Sequence, residues 1–175
     1  MAGPHFRRAQ KRKKFVTEEF IMTVLRKLTA LIILVLLAGV IAGAADVAPA
    51  IPASNVISPA QLNNQLPAVK AGKIVLIHVG FLVMYKMGHI PDSRYAGPAA
   101  RPDGQAALEK LVAKLPHSTP IVIYCGCCPW DDCPNIRPAF RALRQLGFTN
   151  VKALDIPQRL GTDWIAKGFP IVVGD

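Results

Sequence analysis

Apolar and polar positions along this chain follow two different periods. Residues 73–79 and 121–124 are short, β-branched apolar runs, which predict buried parallel strands. Residues 105–115 and 135–146 instead place apolar side chains on one face at helical spacing, and Gly147 is typical of a helix C-cap. The alternation of strands and helices predicts an α/β fold with a mostly parallel sheet flanked by helices.

Weaker patterns fill the remaining positions. Ser58 followed by Pro59 is typical of an N-cap and a first helical residue, and predicts a helix through Leu66. Residues 81–86 fit a strand or a helix equally well. We further predict a turn at residues 87–93, an extended segment at 94–96 and a short strand at 151–154. A helix at 157–167, with Trp164 in the core, and a strand-like tail at 169–173 complete the domain.

The amino-terminal third has a different composition. An apolar run at residues 28–45 follows a basic flank and contains Ala42-Gly43-Ala44, which indicates a cleavable signal peptide, with an uncleaved signal anchor as the alternative. We hypothesise that translation starts at Met22 and that residues 1–21 are an extension of the reading frame. The Ala/Pro-rich residues 45–55 predict a tether. We therefore divide the chain into a signal segment (1–44), a tether (45–55) and a domain (56–175). The domain is expected to be exported, either to the periplasm or, if the signal is not cleaved, tethered by it to the membrane and facing outside the cytoplasm.

The net charge of +10 is concentrated in that signal segment. Of the 21 Lys and Arg residues, eight lie before residue 28, and residues 45–175 hold 13 basic and 9 acidic residues, a net charge of +4. These charges are scattered and have no interleaved aromatic residues, so we expect no nucleic-acid partner. With 51% hydrophobic residues, the chain suits one domain with an appendage, and we expect a monomer.

All four cysteines lie within nine residues, directly after the strand predicted at 121–124. Disulfides among them would close only tiny loops and stabilise the fold little. A cysteine at the carboxyl end of a buried strand lies where open α/β sheets bind ligands, and a helix start nearby favours a thiolate. We predict Cys125 as the nucleophile in an active-site and anion-binding loop that also contains Gly126, Cys127, Cys128, Trp130, Cys133, Asn135 and Arg137.

Other roles for the sulfurs stay open. A disulfide between Cys125 and Cys127, Cys128 or Cys133 would indicate a redox module, and a bond among the other cysteines would only lock the loop. A non-catalytic domain that binds a soft metal or a partner is a further alternative. The C-x-C-C-x4-C spacing lacks the C-x2-C pairs of structural zinc sites, so we predict no metal and no cofactor.

The order of these motifs resembles the rhodanese (thiosulfate sulfurtransferase) domain. In that family the cysteine after the strand carries a persulfide, so the resemblance implies a sulfurtransferase with Cys125 as its nucleophile. Its substrates would be a small sulfur-containing anion and a thiol acceptor. The matching segments are the turn at Gly88-His89-Ile90-Pro91, the strand and cysteine at 121–125, Leu146-Gly147-Phe148, Val151, Trp164 and Gly168-Phe169-Pro170.

Two features depart from the family pattern. The usual Asp-x-Arg at the end of the strand before the turn is replaced by His78-Val79-Gly80, so an internal ion pair is missing. The active-site loop is also unusually long, with eleven residues between Cys125 and Arg137. We expect His78 to be a hydrogen-bonded core residue and His89 to hold the turn in place.

Overall fold

The computed structural model describes Met22 and residues 25–27 and 50–174. The chain divides into two compact units, Met1–Val47 and Ala48–Asp175. The described residues of the first unit are helical and exposed. Most of the predicted signal peptide, with its apolar run and cleavage site, and residues 45–49 of the predicted tether lie outside the described residues. Within the described part, no helix is long and apolar enough to cross a bilayer.

The second unit is built on a five-stranded parallel sheet. The strands lie in the order β1-β5-β4-β2-β3, and each neighbouring pair is parallel. This confirms the predicted sheet and places the carboxyl ends of all five strands at one edge. The strands are β1 (Val56–Ile57), β2 (Val75–His78), β3 (Arg94–Tyr95), β4 (Ile121–Tyr124) and β5 (Val151–Leu154).

Five α-helices connect or follow the strands. The first begins after Ser58, whose side chain accepts from the N–H of Gln61 while the Gln61 side chain accepts from the N–H of Ser58, a capping box. Short 3-10 helices lie at Ala53–Asn55 and Ile165–Lys167. The α-helices are α1 (Pro59–Lys70), α2 (Leu82–Met87), α3 (Pro102–Val112), α4 (Ile136–Gln145) and α5 (Leu160–Asp163).

Several segments differ from the sequence patterns. Helix α1 continues to Lys70, past the end predicted at Leu66, and α3 begins at Pro102, before the predicted start at position 105. The strand-like tail predicted at 169–173 pairs only through an isolated bridge between Val172 and His89.

Three further differences lie closer to the site or the core. The ambiguous residues 81–86 form α2. The helix predicted at 157–167 is divided, because the Asp163 carboxylate accepts from the backbone N–H groups of Gln158 and Arg159 and the α-helical turn starts only at Leu160. At the end of the predicted tether, Ile51 packs against the core and the Asn55 amide donates to the Val151 carbonyl at 2.9 Å.

Both faces of the sheet are covered, so β4 is buried on both sides. Ile121 and Ile123 belong to the core that α3 and α4 cover, whereas Val122 and Tyr124 belong to the core that includes α1 and Trp164. This alternation is the side-chain period of a strand. The next residue, Cys125, falls on the α3 and α4 side.

Tyr124 joins β4 to the turn that follows α2. Its hydroxyl accepts from the backbone N–H of Ile90 at 3.1 Å and lies 2.8 Å from the Ser93 hydroxyl. The ring of His89, in the same turn, stacks on Tyr85, and its Nδ1 lies 3.0 Å from the Tyr85 carbonyl oxygen. Hydrogen bonds therefore fix this turn against the end of β4.

We predict that Tyr124→Phe lowers the free energy of unfolding by about 1–3 kcal/mol, because a buried N–H and a buried hydroxyl lose their partner. Urea unfolding at neutral pH measures the change. Ser93→Ala and the double variant complete a mutant cycle, in which the two losses are less than additive. A Tyr124→Phe protein as stable as the parent would contradict the prediction.

Candidate active site

The site is assembled where β4 ends and the cysteine-rich loop begins. Cys125 is the first residue after β4 and only 4% exposed. Its sulfur lies 3.0 Å from the sulfur of Cys127, which in turn lies 3.5 Å from the sulfur of Cys128. All three sulfurs lie within 4.8 Å of one another. The structure therefore brings together the predicted nucleophile and two of the other cysteines as free thiols.

Two glycines leave the space that this arrangement needs. Gly126 has a φ of +74°, which turns the chain directly after Cys125, and a Cβ there would lie 2.9 Å from Cβ of Leu160. A Cβ at Gly80 would lie 2.9 Å from the Cys125 sulfur and 2.9 Å from Cε1 of His78. Side chains at these positions would displace the sulfur or its surroundings.

The start of α4 supports the cysteines through Asn135 and Cys133. Asn135 is buried, and its amide group donates to the Cys125 sulfur at 3.6 Å while its carbonyl oxygen accepts from the N–H of Ala100 at 3.0 Å. The backbone N–H groups of Asn135 and Ile136 hydrogen-bond to Cys133. The helix start therefore stabilises negative charge on Cys133, whereas the sequence predicted this effect for Cys125.

The distribution of charge among the sulfurs follows from these contacts. Donation of its hydrogen bonds to Cys127 and Cys133, together with burial, raises the pKa of Cys125. The hydrogen bond accepted from Cys125 lowers the pKa of Cys127 to about 6. These contacts raise the pKa of Cys125 while they lower that of Cys127, which is opposite to the lowering that the sequence predicted for Cys125.

Arg137 does not contact the cysteines. Its guanidinium donates to the carbonyl oxygens of Trp130 and Asp131 at 3.4 and 3.1 Å, and lies 3.6 Å from the Asp131 carboxylate. It therefore holds the tip of the loop. The sequence predicted a cation beside the nucleophile at this position, whereas the structure engages it elsewhere.

Trp130 fixes the same loop from the other side. It is half-buried against the core, and its backbone N–H donates to the carbonyl of Pro157 at 3.4 Å. The chain returns through a hydrogen bond from the N–H of Cys133 to the Trp130 carbonyl. Asp131 and Asp132 are exposed at the tip, as are the flanking Pro129 and Pro134, so the long loop is attached at both ends and presents its acidic residues to solvent.

A cavity of about 410 Å³ opens beside Cys125 and Cys127. Arg159 lines it, and is the one cationic side chain among the residues described around it; its Nε donates to the Thr162 hydroxyl at 3.3 Å. The sequence analysis missed Arg159, which lies 34 positions after Cys125. A hydrogen bond between the N–H of Leu160 and the Gly126 carbonyl, 2.9 Å long, brings the two segments together. The remaining lining residues are His78, Met84, Met87, Gly88, Gly126, Leu160, Gly161 and Ile165.

His78 lies in this wall as an uncharged ring. Burial lowers its pKa from 6.5 to about 4, and the ring hydrogen-bonds to the backbone of Cys125 while its Nδ1 accepts from the N–H of Gly80. Its centroid lies 5.0 Å from that of Tyr124 and 5.4 Å from that of Tyr85. At the position where the family pattern has an ion pair, this chain therefore has a neutral aromatic cluster.

The sulfur cluster also has a donor set suited to a soft metal. Cys125, Cys127 and Cys128 each offer one sulfur, and thiolates favour ions such as Cu(I) and Zn(II). Cys133 interacts with Cys125 and Cys128 and is the fourth sulfur nearby. The residues present fit such an ion as well as they fit thiol chemistry.

Comparisons with known proteins identify one family by sequence and related folds among solved structures. The model of the Rhodanese-like domain matches residues 58–156. The BH2092 protein from Bacillus halodurans is 23% identical, with a TM-score of 0.52 over 69% of this chain and 77% of that chain. The Alr3790 protein from Anabaena sp. is 19% identical, with a TM-score of 0.50 over 67% of this chain and 91% of that chain. Both share the fold of this chain.

A thiosulfate sulfurtransferase from Pseudomonas aeruginosa is 20% identical, with a TM-score of 0.49 over 68% of this chain and 20% of that chain. Among curated proteins, none matches the sequence.

We predict that stability falls as the pH drops from about 6.5 towards 4. The unfolded chain binds a proton at His78 in this window and the folded chain does not, so each pH decrease favours unfolding, by up to about 3 kcal/mol in total. Urea unfolding between pH 4 and pH 8 measures it. In His78→Asn this part of the pH dependence disappears, and identical profiles for the two proteins would contradict the prediction.

Proposed function

Because this chain belongs to the rhodanese-like domain family, we propose that it is an exported sulfurtransferase that carries sulfane sulfur as a persulfide on Cys125. The observation that carries the proposal is the position of Cys125, at the end of the central strand β4 and in the wall of a cavity that contains Arg159. Thiols in such positions act as covalent nucleophiles.

The first step is attack on the donor. Arg159 offers a positive charge to an anion such as thiosulfate, and guanidinium groups bind such oxyanions through charge-assisted hydrogen bonds. As the Cys125 sulfur attacks the outer sulfur of the donor, its proton passes to Cys127, 3.0 Å away. Sulfite leaves with the electron pair of the broken sulfur–sulfur bond.

The second step returns the protein to its resting state. A thiol or cyanide acceptor attacks the outer sulfur of the Cys125 persulfide, and the Cys125 sulfur leaves as a thiolate. The Asn135 amide and the Cys127 thiol both donate to that thiolate. The same two donors therefore support Cys125 each time it carries negative charge.

The place of action is a separate part of the proposal. The apolar run at 28–45 follows a basic flank and ends in small residues, which supports export with cleavage after Ala44. Outside the cytoplasm, thiols meet an oxidising environment. Reduced cysteines there require a donor of electrons, which makes the redox state of the cluster part of its function.

We predict that thiosulfate adds one sulfur atom to Cys125 in the anaerobically reduced full chain, because this sulfur alone lies both at the strand end and beside the Asn135 amide. Peptide mapping by mass spectrometry locates it. Cys125→Ser takes up no sulfur. Loss of loading with an intact fold in Cys125→Ser supports the proposal, and equal loading in both proteins contradicts it.

The same experiment tests Arg159. Arg159→Gln lowers the rate of loading from thiosulfate by roughly tenfold, the loss of one charge-assisted contact. Lys114→Gln makes the same charge change at an exposed position that does not line the cavity, and keeps the rate. Equal slowing in both variants would point to a general effect of net charge.

We predict that the exported protein begins at Ala45. Intact mass of the protein recovered outside the cytoplasm measures this. Replacement of the small residues in Ala42→Leu/Ala44→Leu blocks cleavage and leaves the protein attached to the membrane. Recovery of the parent protein in the cytoplasm with residues 1–44 intact would contradict export.

A further inference from the structure

Cys127 is placed to react with a persulfide on Cys125. In an extended strand, residues two apart lie about 6–7 Å from each other. The left-handed Gly126 between these cysteines reverses the chain and brings their sulfurs to 3.0 Å. The two sulfurs are therefore much closer than the two-residue spacing alone would place them. Sulfur transfer to an external acceptor needs position 127 only to accept and donate a proton, whereas a sulfur at contact distance can also form a bond to Cys125.

Cys127 also shares the cavity with Cys125, whereas Cys133 does not line it. Cys133 is buried at the start of α4, held by the backbone N–H groups of Asn135 and Ile136. Cys127 is half-buried, so a small product released between the two sulfurs has a path to solvent.

We propose that Cys127 attacks the inner sulfur of the Cys125 persulfide, so that the domain reduces sulfane sulfur to sulfide. This inference rests on the proposed function, because it begins from the loaded Cys125. A Cys125–Cys127 disulfide forms, and the bond between the Cys125 sulfur and the outer sulfur breaks. The outer sulfur leaves with the electron pair of that bond, takes the Cys127 proton and departs as hydrosulfide.

The electrons balance within the site. The sulfane sulfur gains two electrons, and the two cysteine sulfurs together lose two as they form the disulfide. An external dithiol then reduces the Cys125–Cys127 disulfide by thiol–disulfide exchange and is itself converted into a disulfide. The substrate class is therefore a sulfane-sulfur donor together with a dithiol, and the product is sulfide.

A single-turnover experiment tests this step. The full chain is reduced anaerobically, freed of reductant and mixed with thiosulfate in the absence of any other thiol. In samples quenched early, the parent protein carries the added sulfur on Cys125. It then releases one sulfide per chain, after which N-ethylmaleimide labels Cys128 and Cys133 but neither Cys125 nor Cys127. Tandem mass spectrometry locates the disulfide.

Variants at position 127 separate the two steps. Cys127→Ser and Cys127→Ala load Cys125 more slowly, because they lack the thiolate that accepts the Cys125 proton, so sulfide release is timed from the loaded protein. They then keep the added sulfur on Cys125 and release sulfide roughly tenfold more slowly or worse, since no sulfur at position 127 is held beside the persulfide. The Cys128 sulfur lies within 4.8 Å of the other two and could attack the persulfide in place of Cys127. The double variant Cys127→Ser/Cys128→Ser removes both sulfurs and tests this route. Cys128→Ser alone, the matched control, forms the Cys125–Cys127 disulfide.

Three outcomes overturn the inference. Sulfide release from the position 127 variants at the parent rate would show that Cys127 is not the attacking group. Added sulfur found on Cys127, with no disulfide, would show attack at the outer sulfur and therefore transfer between cysteines. Absence of added sulfur on Cys125 in every protein would overturn the proposed function itself. In the other two outcomes Cys125 is loaded first, so the failures of the two proposals are distinguishable.

Discussion

Parallel pairing of β4 with β2 and β5 determines where the Cys125 sulfur lies. Helices cover both faces of a central parallel strand, so neither face is open to ligands. Ligands bind instead at the carboxyl edge of the sheet, where the chain leaves the strand. Cys125 is the first residue past that edge and continues the alternation of Ile121 and Ile123. Its burial and its orientation are consequences of strand geometry, and the loop that follows adds only its neighbours.

Those neighbours set the chemistry through hydrogen bonds more than through cations. Arg137, the cation that the sequence suggested for the nucleophile, lies at the loop tip, and Arg159 lines the cavity. Charge on the cluster is held instead by other thiols, the Asn135 amide and the backbone N–H groups at the start of α4. A proton that moves between sulfurs 3.0 Å apart stays inside the site. The cluster therefore titrates as one unit, and the role of one sulfur depends on the state of the others.

Sequence patterns predicted the elements whose signals are local. The strands at 121–124 and 151–154 and the start of α1 agree with the structure, because β-branched runs and an N-cap followed by proline act within a few residues. Arg159 was missed and Arg137 was placed beside the nucleophile, because their positions depend on contacts between distant segments: Leu160 with Gly126, and Trp130 with Pro157. The spacing of four cysteines indicated a reactive loop. Only the turn at Gly126 shows which two sulfurs meet.

The two glycines beside Cys125 have a consequence for how this site diverges. Gly80 leaves room for the sulfur and the His78 ring, and Gly126 leaves room for Leu160, each at 2.9 Å from the Cβ that a side chain would add. Neither position accepts a larger residue unless its neighbour shrinks or moves. Positions 78, 80 and 125, and positions 126 and 160, should therefore change in groups among related sequences. Loss of the cysteine removes one of the two contacts that restrict Gly80 and leaves the restriction on Gly126 unchanged.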